Sequence, residues 1–136
     1  MRVEAQKTIT KDVTEDSFIH FTTEERAEQI LSEGKLLFNP PYEKYGIDAV
    51  TAISTTYGTL VDAVQLNHID GDPVAILFTT HTVPDIGYIE EVIWHEDVIL
   101  DTADIISVGA AISMLSKTDP IDEYDILMYK EIEESP

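Results

Sequence analysis

Phe18-Ile19-His20-Phe21-Thr22-Thr23-Glu24-Glu25 is the stretch that decides the fold. Aromatic and β-branched residues predict a short strand over Ser17–Phe21. Thr22-Thr23-Glu24-Glu25 then reads as a capping box, with Thr22 at the N-cap and Glu25 three residues on. Ala27, Ile30 and Leu31 follow at i, i+3 and i+4, one face of a helix whose Glu24, Glu25, Glu28 and Glu33 face water. Gly34 stops it. A strand therefore carries a histidine and a threonine to its end, and the chain turns at once into a helix.

Outward from this junction the chain alternates strands and helices without a repeat or a linker. Upstream, Val3–Thr10 alternates loosely, as an edge strand does. Downstream, Leu36–Phe38 is apolar, Asn39-Pro40-Pro41 breaks it, and Tyr42–Asp48 is a loop. Ala49–Ser54 is a strand, and Tyr57–His68 fits a helix with Leu60, Val61 and Val64 inward. Asp70-Gly71-Asp72-Pro73 is a turn. Val74–Thr80 is nearly all apolar and belongs at the centre of a sheet. Tyr88–Trp94, Val98–Leu100 and Ile105–Ile106 are further strands, Val108–Leu115 a short helix, and Tyr124–Tyr129 the last strand. Glu131–Pro136 is a frayed acidic tail. The reading is one mixed α+β domain over residues 1–136.

Twenty-seven acids against eight bases give a formal charge of −19. Such a field repels nucleic acid and anionic membranes, because affinity for phosphates comes from lysine and arginine. Only Arg2 and Arg26 are arginines. Three readings fit the charge: a soluble self-repelling surface, a halophilic origin, or an acidic protein that occupies another protein's basic groove. No apolar run approaches a membrane span, and the N-terminus lacks an apolar signal core. With no cysteine in the chain, disulfides and thiolate metal sites are excluded. The expectation is a cytoplasmic protein.

Two segments carry chemistry. At a strand end, His20 can hydrogen-bond a ribose hydroxyl while its ring packs on apolar neighbours; the alternative is a half-buried structural histidine. Glu90 and Glu91 open the segment ending in Trp94 and alternate across a strand. Glu91 shares a face with Ile89 and Ile93 and is driven toward an apolar environment, where an ion needs partners. A carboxylate so placed can stabilise an oxocarbenium-like centre as a glycosidic bond breaks; the alternative is a wet sheet edge.

Taken together, the strand-His-Phe-Thr passage into the helix ending Ile30-Leu31-Ser32-Glu33-Gly34, and the later Glu91-Val92-Ile93-Trp94 with Val98-Ile99-Leu100 and Ile105-Ile106, resemble the ADP-ribosyltransferase-fold superfamily. The likeness is greatest to its DNA-targeting toxins and RNA 2′-phosphotransferases, and it spans roughly residues 17–106 in order. It implies split β-sheets with two or three helices, and NAD as the substrate bound between them. It further implies that His20 contacts the nicotinamide-side ribose and that Glu91 is the catalytic glutamate. Thr22, Ser54, Thr55, Thr56 and Tyr57 would line the cofactor site. Ile89 stands where arginine-modifying members carry another acid, and only Arg26, Lys35 and Lys44 are offered for the dinucleotide phosphates.

Other motifs point to structure. Trp94-His95-Glu96-Asp97 reads as a surface turn rather than a metal site. Asp70-Gly71-Asp72 lacks the acids of a calcium loop. No phosphate-binding glycine loop is present. Two functions are therefore expected in turn: NAD cleavage with transfer of ADP-ribose to a protein or to water, or a non-catalytic acidic inhibitor or nucleic-acid mimic that binds a basic partner.

Overall fold

A computed structural model of the chain describes residues 8–38, 50–58, 66, 69, 71–87, 91–115 and 126–130. Within them the fold is mixed α+β, mostly strands. The strands are β1 (Thr8–Asp12), β2 (Phe18–Thr23), β3 (Lys35–Leu36), β4 (Val50–Ser54), β5 (Pro73–Thr80), β6 (Ile86–Gly87), β7 (Glu91–Trp94), β8 (Val98–Ile106) and β9 (Ile126–Lys130). The helices are α1 (Glu24–Glu33) and α2 (Val108–Ser113). A 3₁₀ turn, Val13–Glu15, joins β1 to β2.

Seven strands form an antiparallel sheet in the order β3-β8-β5-β2-β4-β7-β6. The remaining two, β1 and β9, pair in parallel as a small second sheet. The main sheet is unevenly joined. β2 and β5 pair over six residues, Phe18↔Phe78 to Thr23↔Pro73, whereas β2 and β4 pair only at Phe18↔Ser54 and Ile19↔Ile53. Beyond Ile19 the ladder between β2 and β4 ends, although β4 stays paired with β7 as far as Val50↔Trp94.

Both faces are covered. On one, Phe18, Ile76, Phe78, Ala52, Val92 and Trp94 meet Ala27 and Ile30 of α1, together with Val13 and Tyr129. On the other, Ile19, Phe21, Ile53 and Ala75 meet Ala111 of α2 and Leu115. Strand alternation produces this division, since neighbours such as Phe18 and Ile19 leave by opposite faces. The continuous apolar run of β5, predicted as central, lies between β8 and β2 with both faces buried.

Three local expectations shift. The helix N-cap is Thr23, whose hydroxyl accepts from the Arg26 amide at 3.3 Å; Thr22 is instead a buried strand residue opposite Val74. Pairing with β5 persists through Thr23↔Pro73 and holds Thr22 in the sheet for one residue longer than the capping box suggests. The two short strands over Val98–Leu100 and Ile105–Ile106 are one nine-residue strand, because Asp101, Thr102 and Asp104 point to solvent while the backbone follows β5. Residues 55–58 form a turn rather than the start of a helix. The bulk of the helix expected over Tyr57–His68, the loop over Tyr42–Asp48 and the tail over Glu131–Pro136 lie outside the described residues. Gly34 does end α1, at φ 74°.

Candidate functional site

The sequence motifs fall on three neighbouring strands. β2 carries His20, β4 ends at Ser54 and runs into Thr55-Thr56-Tyr57, and β7 begins at Glu91. His20 is the first residue past the last pairing of β2 with β4. Its Nδ1 lies 2.9 Å from the Thr51 carbonyl oxygen, so the ring bridges the two strands where they part.

Register decides which way each side chain leaves. His20 pairs with Ile76 and shares the α1 face with Phe18 and Thr22. Ser54, opposite Phe18, lies on that face as well. Glu91 pairs with Ile53, which pairs with Ile19, so Glu91 belongs to the α2 face. Two strand spacings put the backbones of Ile19 and Glu91 about 10 Å apart. His20 and Glu91 are thus near neighbours in the sheet whose side chains leave by opposite faces. Glu90 lies outside the described residues.

Burial sorts the remaining candidates. Thr22 is 6% exposed and Ser54 fully buried, so neither touches a ligand in this arrangement. His20, Thr55, Tyr57 and Glu91 are partly exposed, and Thr56 is exposed. The three hydroxyl residues of the turn converge on a group that sequence reading passed over: Asp16, 3% exposed. Its Oδ1 accepts from the Ser17 amide and the Thr56 hydroxyl, both at 2.8 Å, with the Thr55 hydroxyl at 3.4 Å. Its Oδ2 accepts from Ser54 Oγ at 2.5 Å and from the Tyr129 hydroxyl at 2.7 Å. Buried carboxylates persist where donors of this kind replace water.

Ser54 Oγ in turn accepts from the amides of Thr56 and Tyr57, each at 3.2 Å, which shapes a serine-initiated turn. Gly58 closes it with an amide hydrogen bond to the Ser54 carbonyl at 2.7 Å. A Cβ at Gly58 would stand 2.4 Å from that same carbonyl oxygen, so only glycine fits. From β1, Lys11 Nζ donates to Thr56 Oγ1 at 3.0 Å and sits 5.3 Å from the Tyr57 ring centroid.

Two phenols feel this cluster. Burial and then the Asp16 charge raise the ionisation of Tyr57 above the ordinary 10.0. Tyr129 is raised much further, first by burial and then by the Asp16 charge. A folded state that keeps its proton above pH 10, where the unfolded chain releases it, loses stability as pH rises beyond 10. The expected outcome is a decline of up to about 1.4 kcal/mol per pH unit from this group. Thermal melts between pH 8 and pH 11 check it (Tyr129→Phe should show a shallower alkaline fall, and an identical slope would refute it).

Elsewhere on the surface, His95 lies 3.1 Å from Asp85, His81 pairs with Asp101, and Lys35 meets Asp97 at 3.9 Å. These are exposed pairs of small energetic weight. Among the described residues no group of three or more His, Cys, Asp or Glu is placed to hold a metal ion. Among them, too, no helix is long and apolar enough to cross a membrane. Compared with family models, curated proteins and solved structures, the chain matches none.

Proposed function

We propose that this chain is an ADP-ribosyltransferase-like domain that binds NAD against β2 and β4, and that it cleaves the nicotinamide–ribose bond. The observation that supports this is the order of neighbouring strands: histidine on β2, the Ser54–Tyr57 turn after β4, and glutamate on β7. In this reading His20 orients the ribose and Tyr57 stacks beside nicotinamide. Glu91 stabilises positive charge at the ribose carbon as the C–N bond breaks and its electron pair leaves with nicotinamide. A protein side chain or water then bonds that carbon and gives up its proton. His20 and Glu91 leave by opposite faces with β4 between their strands, so this reading requires the site to rearrange before both meet one ribose.

A labelled-NAD assay tests this. Glu91→Gln should lower turnover about 10²–10³-fold, the usual loss for a positioned charge. Turnover at the wild-type rate in that variant would remove Glu91 from the reaction.

The opposite-face placement also favours a second reading, a non-catalytic acidic protein that binds a basic partner. Exposed Glu24, Glu25 and Glu28 on α1, with Asp101 and Asp104 on β8, would supply the charge. NAD titration separates the two, since a ligand at 100 times its Kd stabilises by about 2.7 kcal/mol. No shift with NAD, and salt-sensitive binding to a basic protein, would select the second.

A further inference from the structure

We propose that Asp16 is the positioning residue of the candidate nicotinamide pocket, tying the Ser54–Gly58 turn to β9 through Tyr129. This rests on the NAD reading above.

The carboxylate contacts all three hydroxyl residues of the turn, Ser54, Thr55 and Thr56, and also the phenol of Tyr129. At 3% exposure it does not itself reach a ligand. Its influence passes through Ser54. While Ser54 donates to Asp16, its oxygen receives the amides of Thr56 and Tyr57, and those amides set the backbone from which the Tyr57 ring projects. Lys11 holds the same turn from the other strand of the small sheet, through Thr56 and across the Tyr57 ring. The residues that stay open to a ligand, Thr56 and Tyr57, are therefore placed by Asp16 and by β1 and β9 behind it, together with Ser54 at the end of the strand that carries them. The parallel pair at the chain's two ends belongs to the site. Displacing an aromatic platform by a fraction of its width weakens a stacked ligand without altering a group that stabilises charge elsewhere.

The test uses the full chain with Tyr129→Phe, Asp16→Asn and, as a control, Ala111→Gly on the opposite face. Tyr129→Phe keeps the ring against Phe18 and removes a single hydrogen bond, so it serves where Asp16→Asn folds poorly. At a temperature where every variant is folded, calorimetry gives the Kd for NAD and the labelled-NAD assay gives KM and kcat. The expected result is a Kd and KM raised about tenfold in Tyr129→Phe and Asp16→Asn, with kcat within about twofold, and no change in Ala111→Gly. Wild-type Kd in both Asp16→Asn and Tyr129→Phe overturns the positioning role while leaving the NAD reading intact. A rise of Kd in Ala111→Gly also overturns it, because general loosening would then explain the effect. If the wild-type chain itself binds no NAD, the underlying reading fails and the role assigned to Asp16 fails with it.

Discussion

Asp16→Ala should lower the stability of the folded chain by about 3–5 kcal/mol, the cost of removing one partner from a buried charged network. Truncation leaves Ser54 Oγ, the Tyr129 hydroxyl and the Ser17 amide without their acceptor. Ser54 is fully buried and Tyr129 is 7% exposed, so water reaches them poorly. A buried donor left unmet costs about 1–3 kcal/mol, and partial relaxation keeps the total below the plain sum. The loss is a large part of the 5–15 kcal/mol that typically holds a domain together. It also releases the small sheet, since Tyr129 on β9 meets Asp16 across 113 positions of sequence. Urea unfolding followed by circular dichroism measures it. A change below about 1 kcal/mol would mean that water or a rearranged turn satisfies these donors, and the network would then be a minor element of the fold.

Trp94→Ala should cost a comparable amount, about 3–5 kcal/mol, for a different reason. Trp94 is fully buried at the centre of the α1-side core. Its ring meets Phe18 edge-on at 5.4 Å and Phe78 at 6.2 Å. Its indole N–H donates to the Thr82 carbonyl at 2.8 Å. Alanine removes the packing, opens a cavity between β7 and β2, and leaves a carbonyl unpaired. The consequence reaches the candidate site, because Trp94 ends the strand that Glu91 begins and anchors it to the core beneath. As the only tryptophan, it makes wild-type unfolding visible by fluorescence, whereas the variant is followed by circular dichroism. A loss under about 1.5 kcal/mol would show that the cavity collapses and that β7 is held mainly by its ladder with β4.

Much of this molecule is legible in local spacing. The apolar run of β5 identifies a strand buried on both faces, and the Ala27–Ile30–Leu31 spacing with Gly34 identifies α1 and its end. Errors of one residue, such as Thr22 for Thr23 at the cap, arise where two adjacent residues have equal local chemistry and a distant strand breaks the tie. The continuity of β8 through Asp101 and Asp104 is of the same kind, since local polarity suggests a break and pairing with β5 overrides it.

Alternation sets Glu91 and Ile93 on one face of their strand and Val92 and Trp94 on the other, and the capping residues carry the segment of His20 into a helix. Which of those faces His20 shares depends on β4 lying between β2 and β7 and on the row Ile19-Ile53-Glu91, a property of three strands together. Asp16 was invisible for the same reason. Its neighbour Ser17 is local, but Ser54, Thr56 and Tyr129 are 38, 40 and 113 positions away. Residues two to four apart determine whether a segment becomes strand or helix, because they share one face and one run of backbone hydrogen bonds. Register and buried polar partners join segments far apart in the chain, and only the assembled sheet selects among the many pairings those segments allow.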